Sequence, residues 1–366
     1  MKEAVVSKGP KVQIIDSEIP KPGPNQVVTK VVVSGCNPKD WYGDLRLWLK
    51  SLGHRGLILR GRKRADMMPE DAAPVNQGDD ISGIVHAVGE NVSEFKPGDR
   101  VAAFHEMMKP GGSWAEYALS WAHTTFYLPK NTSFEEGAAL PLAAMTAAVG
   151  LYARMRLPAP WLPLPADDSE KIPLVIYGAS SAVGSYVIQF AQRSNIHPLI
   201  CIAGRAQQHV KALIRPEKGD VIVDYREGND AVVKGIRDAL KGEKLEYAFD
   251  AVSEKGSYQN ICQVLQPDGR ITLVLPGKKY KEIPAGVKQS LTTVGSVHVD
   301  LKDFAYVYFR YISKGLEEGW FKAQPQEVVE GGLEGVQQGL ERLKDGTVSA
   351  VKYVYRIADT PGVSST

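Results

Sequence analysis

The segment that most limits what this chain can become is Leu174-Val175-Ile176-Tyr177, followed at once by Gly178-Ala179-Ser180-Ser181-Ala182-Val183-Gly184. Four consecutive apolar residues read as a strand covered on both faces, and Val183–Gln192 reads as the helix after it. A glycine-rich turn in this setting offers backbone N–H groups at a helix N-terminus, where phosphate binds. Gly178 suits the tight turn, Ala182 permits close approach, and Gly184 lets the helix lie on the sheet. The spacing is not a literal G-x-G-x-x-G, so a ligand-free β–α turn is the competing reading.

Strand and helix alternate from Lys171 onward, with further strands expected at Leu199–Ile202, Val221–Val223, Tyr247–Phe249, Ile271–Leu275 and near Val297. Such alternation implies a parallel sheet with helices on both faces. The first 130 residues differ: β-branched runs such as Val27–Val33 and Ile81–Val88 are broken by turns such as Pro97-Gly98, the pattern of a small barrel. Ser133 and Glu136 have capping-box spacing, and Pro141 should split the alanine-rich segment into two helices. Leu157–Pro165, with four prolines, reads as an ordered surface connection; Gly335–Leu343 reads as a helix, and Val351–Ile357 as a strand returning to the first domain.

Length and charge narrow the function. The 366 residues suit two domains, and 44 Lys plus Arg against 42 Asp plus Glu leave a charge of +2, which gives no reason to expect nucleic-acid binding. Cys36, Cys201 and Cys262 are too far apart for a disulfide framework or a cysteine-rich zinc site. No membrane span and no signal-peptide core is visible, so a cytoplasmic protein is expected.

The end of the second strand of the alternating region bears on the cofactor. An acid there would hold ribose hydroxyls, but the residues are Ala203-Gly204-Arg205. A cation favours a 2′-phosphate, which points to NADPH; an ordinary exposed loop arginine is the alternative.

Together with Ser34-Gly35-Cys36-Asn37-Pro38-Lys39-Asp40, Gly78-Asp79-Asp80-Ile81-Ser82-Gly83, Lys96-Pro97-Gly98-Asp99-Arg100-Val101, Ala138–Thr146 and Asp224-Tyr225-Arg226, this turn makes nearly the whole chain resemble the zinc-independent medium-chain dehydrogenase/reductases. Within them it is most similar to the fungal stand-alone, trans-acting enoyl reductases of polyketide biosynthesis. The resemblance implies an α/β chain: a GroES-like β-barrel catalytic domain, residues 1–140 with 316–366, and a Rossmann doubly wound parallel-sheet domain, residues 141–315. Zinc-dependent members carry a Gly-His-Glu segment where this chain has Gly78-Asp79-Asp80, and Cys36 alone cannot supply three protein ligands, so no metal is expected. For Asp79 and Asp80 a strand-entry or salt-bridge role is the stronger expectation.

By the same resemblance, Asn37, Pro38, Lys39 and Asp40 border the nicotinamide and its ribose, with Thr146 near the ring. Ser180, Ser181, Ala182 and Val183 contact the diphosphate; Ala203, Gly204 and Arg205 hold the adenosine ribose phosphate, and Tyr225 the same phosphate or the ribose. Leu275 and Pro276, and Val348 and Ser349, close around the cofactor. Tyr42 is the candidate proton donor, with packing beside Trp41 as the equal alternative, since a phenol is a weak acid at neutral pH.

Without a Lewis acid, reduction of a conjugated C=C bond is easier to support than alcohol oxidation. The expected activity is therefore NADPH-dependent reduction of an α,β-unsaturated acyl thioester or related enone, small or carrier-bound, beside a polyketide synthase. A quinone or small-enone reductase and a catalytically idle NADPH-binding protein are the alternatives. Arg46–Arg64, with seven Lys or Arg and no acid, is either a docking strip for phosphopantetheine, coenzyme A or an acidic carrier protein, or a solvated amphipathic insertion.

Overall fold

The computed structural model describes residues 1–7, 9, 11–42, 73–165 and 170–364; of Tyr42 it describes the backbone. The basic stretch Arg46–Arg64 and the side chain of Tyr42 lie outside the described residues. The chain divides into two compact units, Met1–Met145 with Gly295–Thr366, and Thr146–Val294.

The first unit opens with β1 (Lys2–Ser7) and β2 (Lys11–Asp16), an antiparallel pair. Its main sheet begins with β3 (Gln26–Gly35), β4 (Asp80–Val88), β5 (Arg100–Phe104), β6 (Tyr117–Trp121) and β7 (Thr125–Tyr127). β3 is the spine: it pairs antiparallel with both β4 and β6, and its register against β4 shifts at Val28/Thr29 and Val31/Val33. Such irregularities bend a strand and raise its twist, which a curved barrel wall requires. The capping box is present, with Ser133 N donating to Glu136 Oε2 at 2.7 Å and Glu136 N to Ser133 Oγ at 3.1 Å. Pro141 divides the helices Phe134–Ala138 and Pro141–Ala148.

The second unit holds β8 (Leu174–Tyr177), β9 (Leu199–Ala203), β10 (Val221–Asp224), β11 (Tyr247–Asp250), β12 (Arg270–Leu273) and β13 (Lys288–Leu291). All neighbours are parallel, in the order β10-β9-β8-β11-β12-β13, with the order reversing beside β8. That is the doubly wound arrangement, which binds ligands beyond the carboxyl end of its first strand. Leu174, Val175, Ile176 and the whole of Leu199–Ile202 are fully buried, as strands covered on both faces must be.

The last strand of this sheet differs from expectation. Val294–His298, around Val297, is a short 3₁₀ turn, and the strand is Lys288–Leu291 instead. Among the described residues β13 pairs only with β12, so this edge tolerates Lys-Gln-Ser-Leu, whose polar residues hide it from an apolar-run criterion.

The chain then returns to the first unit through the helix Lys302–Glu318 and the strands β14 (Gln326–Val328) and β15 (Lys352–Arg356). β15 pairs antiparallel with β3, aligning Val354 with Gly35, so both ends of the chain complete one sheet. Among the described residues no helix is long and apolar enough to cross a membrane.

Candidate active site

In the second unit, the turn after β8 has the form a phosphate cradle needs. Gly178 has φ +78°, and a Cβ there would lie 2.7 Å from Val252 Cγ2. A Cβ on Gly184 would strike the Gly178 carbonyl and sit 2.8 Å from Ala179 Cα, so helix and turn touch because both positions lack side chains. Ser181 caps the 12-residue helix Ala182–Arg193, its Oγ accepting from Gly184 N at 3.0 Å. Ser180, Ser181, Ala182 and Val183 are all half-buried at this turn.

Ala203 and Gly204 are buried at the end of β9, while Arg205 is exposed. Tyr225 lies over Gly204: a Cβ at 204 would be 2.6 Å from its ring. The neighbouring acid is occupied, for Asp224 accepts from Gln207 Nε2 at 2.7 Å and from Arg226 Nε at 2.9 Å, and these partners hold its carboxyl below the usual range. Leu275 and Pro276 follow β12, with Leu275 O accepting from Tyr280 O–H at 2.6 Å. Thr146, on the helix Pro141–Ala148, is buried. The bare glycine turn and the capped helix N-terminus suit the diphosphate of a dinucleotide.

In the first unit the structure gathers buried Asn37 and Asp40 and half-buried Lys39 into an ionic cluster. Lys39 Nζ lies 2.5 Å from Asp40 Oδ1 and 2.5 Å from Asp79 Oδ2, and donates to Gln77 O at 3.0 Å. Asp79 Oδ1 is 2.9 Å from His105 Nδ1, whose Nε2 faces Pro110 O at 3.2 Å. Asp80, the first residue of β4, meets a different set of partners. Its Oδ2 meets Lys352 Nζ at 2.7 Å and Asn37 Nδ2 at 2.8 Å, and its Oδ1 accepts from Leu142 N at 2.7 Å. Lys352 Nζ also donates to Asn37 Oδ1 at 2.6 Å, which fixes that amide from both sides.

Burial would raise Asp79, yet Lys39 and His105 hold its carboxyl below the ordinary range. Asp40 moves oppositely, pushed up to about 6 by burial despite Lys39. Burial opposes the charge on Lys39, but Asp40 and Asp79 outweigh it and keep the ammonium protonated well above the usual lysine range. His298 packs on Phe104 with centroids 5.1 Å apart and on His123 at 5.9 Å; burial, then His123 and His105, push its pKa down to about 3. Pro38 lies on the same turn as Asn37, Val348 packs on the apolar core of its unit, and Ser349 is exposed.

This donor set does not suit zinc. Each carboxylate at the Gly78-Asp79-Asp80 position is already paired with an ammonium, and burial pushes the Cys36 thiol up, away from the thiolate a metal needs. His105 and Lys352 were not singled out from the sequence. The available signal for Lys352 is a lysine flanked by Val351 and Tyr353 in a strand whose other charged residue, Arg356, is at its exposed end.

Residues 23–130 match the alcohol dehydrogenase GroES-like domain. Over 336 residues, 92% of each chain, the sequence is 56% identical to a trans-enoyl reductase of Gibberella fujikuroi. The chain belongs to the trans-enoyl reductase family. Another trans-enoyl reductase, from Alternaria alternata, is 29% identical over 96% of this chain and 98% of its own. Among solved structures, the CurK enoyl reductase superposes with a TM-score of 0.72 at 19% identity, over 96% of this chain and 98% of that one, a likeness of fold alone. Medium-chain reductases of this family work with a nicotinamide cofactor, whose phosphates the turn at 178–184 fits on the grounds given above.

Proposed function

We propose that this chain is a trans-acting enoyl reductase that uses NADPH to saturate the C=C bond of an α,β-unsaturated acyl thioester during fungal polyketide assembly. The observation that carries this reading is the 56% identity to a trans-enoyl reductase along 92% of both chains. When bound, the reduced nicotinamide supplies the hydride to the β-carbon. The residues of this chain orient, shield and deliver a proton.

In this reading the N–H groups at 180–184 hold the diphosphate, assisted by Ser180, Ser181, Ala182 and Val183. Arg205 and Tyr225 take the 2′-phosphate, with Ala203 and Gly204 giving the backbone clearance. Engagement of Asp224 by Gln207 and Arg226, which keeps that carboxylate from ribose hydroxyls, supports NADPH over NADH. Asn37, Pro38, Lys39 and Asp40, with Thr146, Leu275, Pro276, Val348 and Ser349, are assigned to the nicotinamide half. The locked amide of Asn37 supports that assignment, because a group aligning a reactant must not rotate. Tyr42, two residues beyond Asp40, is the proton donor to the α-carbon.

The reading is tested by measuring NADPH oxidation with enoyl thioesters, free enones and quinones. Preference for thioesters is expected; preference for quinones would favour a quinone reductase, and no turnover with tight NADPH binding an idle binding protein. In the same assay Tyr42→Phe is expected to lower kcat at least tenfold with NADPH affinity unchanged; unaltered kcat would remove Tyr42 from the mechanism.

A further inference from the structure

Three oxygens converge on one nitrogen in the first unit: Asp40 Oδ1 and Asp79 Oδ2, each 2.5 Å from Lys39 Nζ, and Gln77 O at 3.0 Å. Both acids are 1% exposed. Two carboxylates this deeply buried and this close repel, and neither can stay ionised without a cation between them. Zinc-dependent members of the wider family carry a histidine at the position of Asp79, in the Gly-His-Glu segment. We propose that Lys39 is a tethered cation, an ammonium standing where a bound metal would otherwise organise this unit.

Charge balance supports the assignment. Lys39 offsets one carboxylate of the Asp40–Asp79 pair. Both ring nitrogens of His105 face oxygens, Asp79 Oδ1 at 2.9 Å and Pro110 O at 3.2 Å, so His105 engages the Asp79 oxygen that Lys39 does not take. Asp80 is balanced separately by Lys352. Lys39 is thus a fixed charge, because two flanking carboxylates hold its proton in place. It is a positioning residue that acts through Asp40, whose Oδ2 accepts from Asn37 N at 2.7 Å and so sets the turn from 37 to 40.

The test is independent of the reaction. Thermal unfolding of the full chain is followed for wild type, Lys39→Ala and Lys39→Ala/Asp79→Asn, with and without Mn²⁺, a cation suited to carboxylate and carbonyl ligands. Lys39→Ala should unfold on the order of 5–10 °C lower, the scale for stripping a buried charge of its partner. Mn²⁺ should return much of that loss by entering the vacated oxygen cage, and should leave wild type unmoved. The double variant, relieved of the uncompensated charge, should melt above Lys39→Ala and ignore Mn²⁺. A Lys39→Ala melting point equal to wild type, no response of that variant to Mn²⁺, or the same response in wild type would each overturn the proposal. Should Lys39→Ala not fold, the double variant must, and failure of both would equally refute it.

Discussion

Lys352, on the last strand, places its ammonium 2.7 Å from the carboxylate of Asp80, on a strand 272 residues earlier, and both side chains are buried. The pair closes the first unit around the amide of Asn37, which each of them also contacts. Sequence-distant segments are therefore joined at Asn37, a residue assigned to the cofactor.

Lys352→Met should leave Asp80 as an uncompensated buried charge and cost about 3–5 kcal/mol in denaturant unfolding. Asp80→Asn/Lys352→Met should recover part of that loss. A single variant within about 1 kcal/mol of wild type would show that the ion pair is not what holds β15 to β3 and β4.

Arg205→Ala should weaken NADPH binding by roughly 10–100-fold and NADH binding by little, because the 2′-phosphate is the group a guanidinium recognises. Isothermal calorimetry with both coenzymes decides it. Equal losses would move the phosphate site away from Arg205.

The acid response should show His298. Its pKa in the folded chain, about 3, lies below the ordinary value of 6.5, so the native state resists protonation. Stability present above pH 6.5 is then lost as the pH falls through 6.5 toward 3. Asp40 and Asp250, both pushed up to about 6 by burial, act in the opposite sense and gain stability as the pH falls through 6 toward 4. The comparison is therefore between wild type and His298→Phe: from pH 7 to 5 wild type should lose up to about 2 kcal/mol more than the variant. Parallel curves would contradict the neutral, buried assignment.

The parallel sheet was legible because its central strands must be apolar on both faces, and Leu174–Tyr177 and Leu199–Ile202 show it as unbroken runs. β13 was not, since an edge strand with one partner can be Lys-Gln-Ser-Leu, and the nearby apolar run at Val297 took its place in the reading. The ionic cluster was harder still. Asp79 and Asp80 pointed to salt bridges, but their partners Lys39, His105 and Lys352 lie far apart in sequence, and a lysine among apolar neighbours, as at 352, does not say which acid it meets. The register of β15 against β3 carries Lys352 to Asn37 and Asp80, while the backbone bond from His105 N to Asp79 O carries His105 to Asp79.

The account stands or falls on where hydride goes. NADPH carrying deuterium at the transferred position should be incubated with an enoyl thioester and the saturated product analysed by mass spectrometry and NMR. The account predicts one deuterium on the β-carbon and a solvent-derived proton on the α-carbon. Label on the carbonyl carbon, or an unsaturated product, would contradict it.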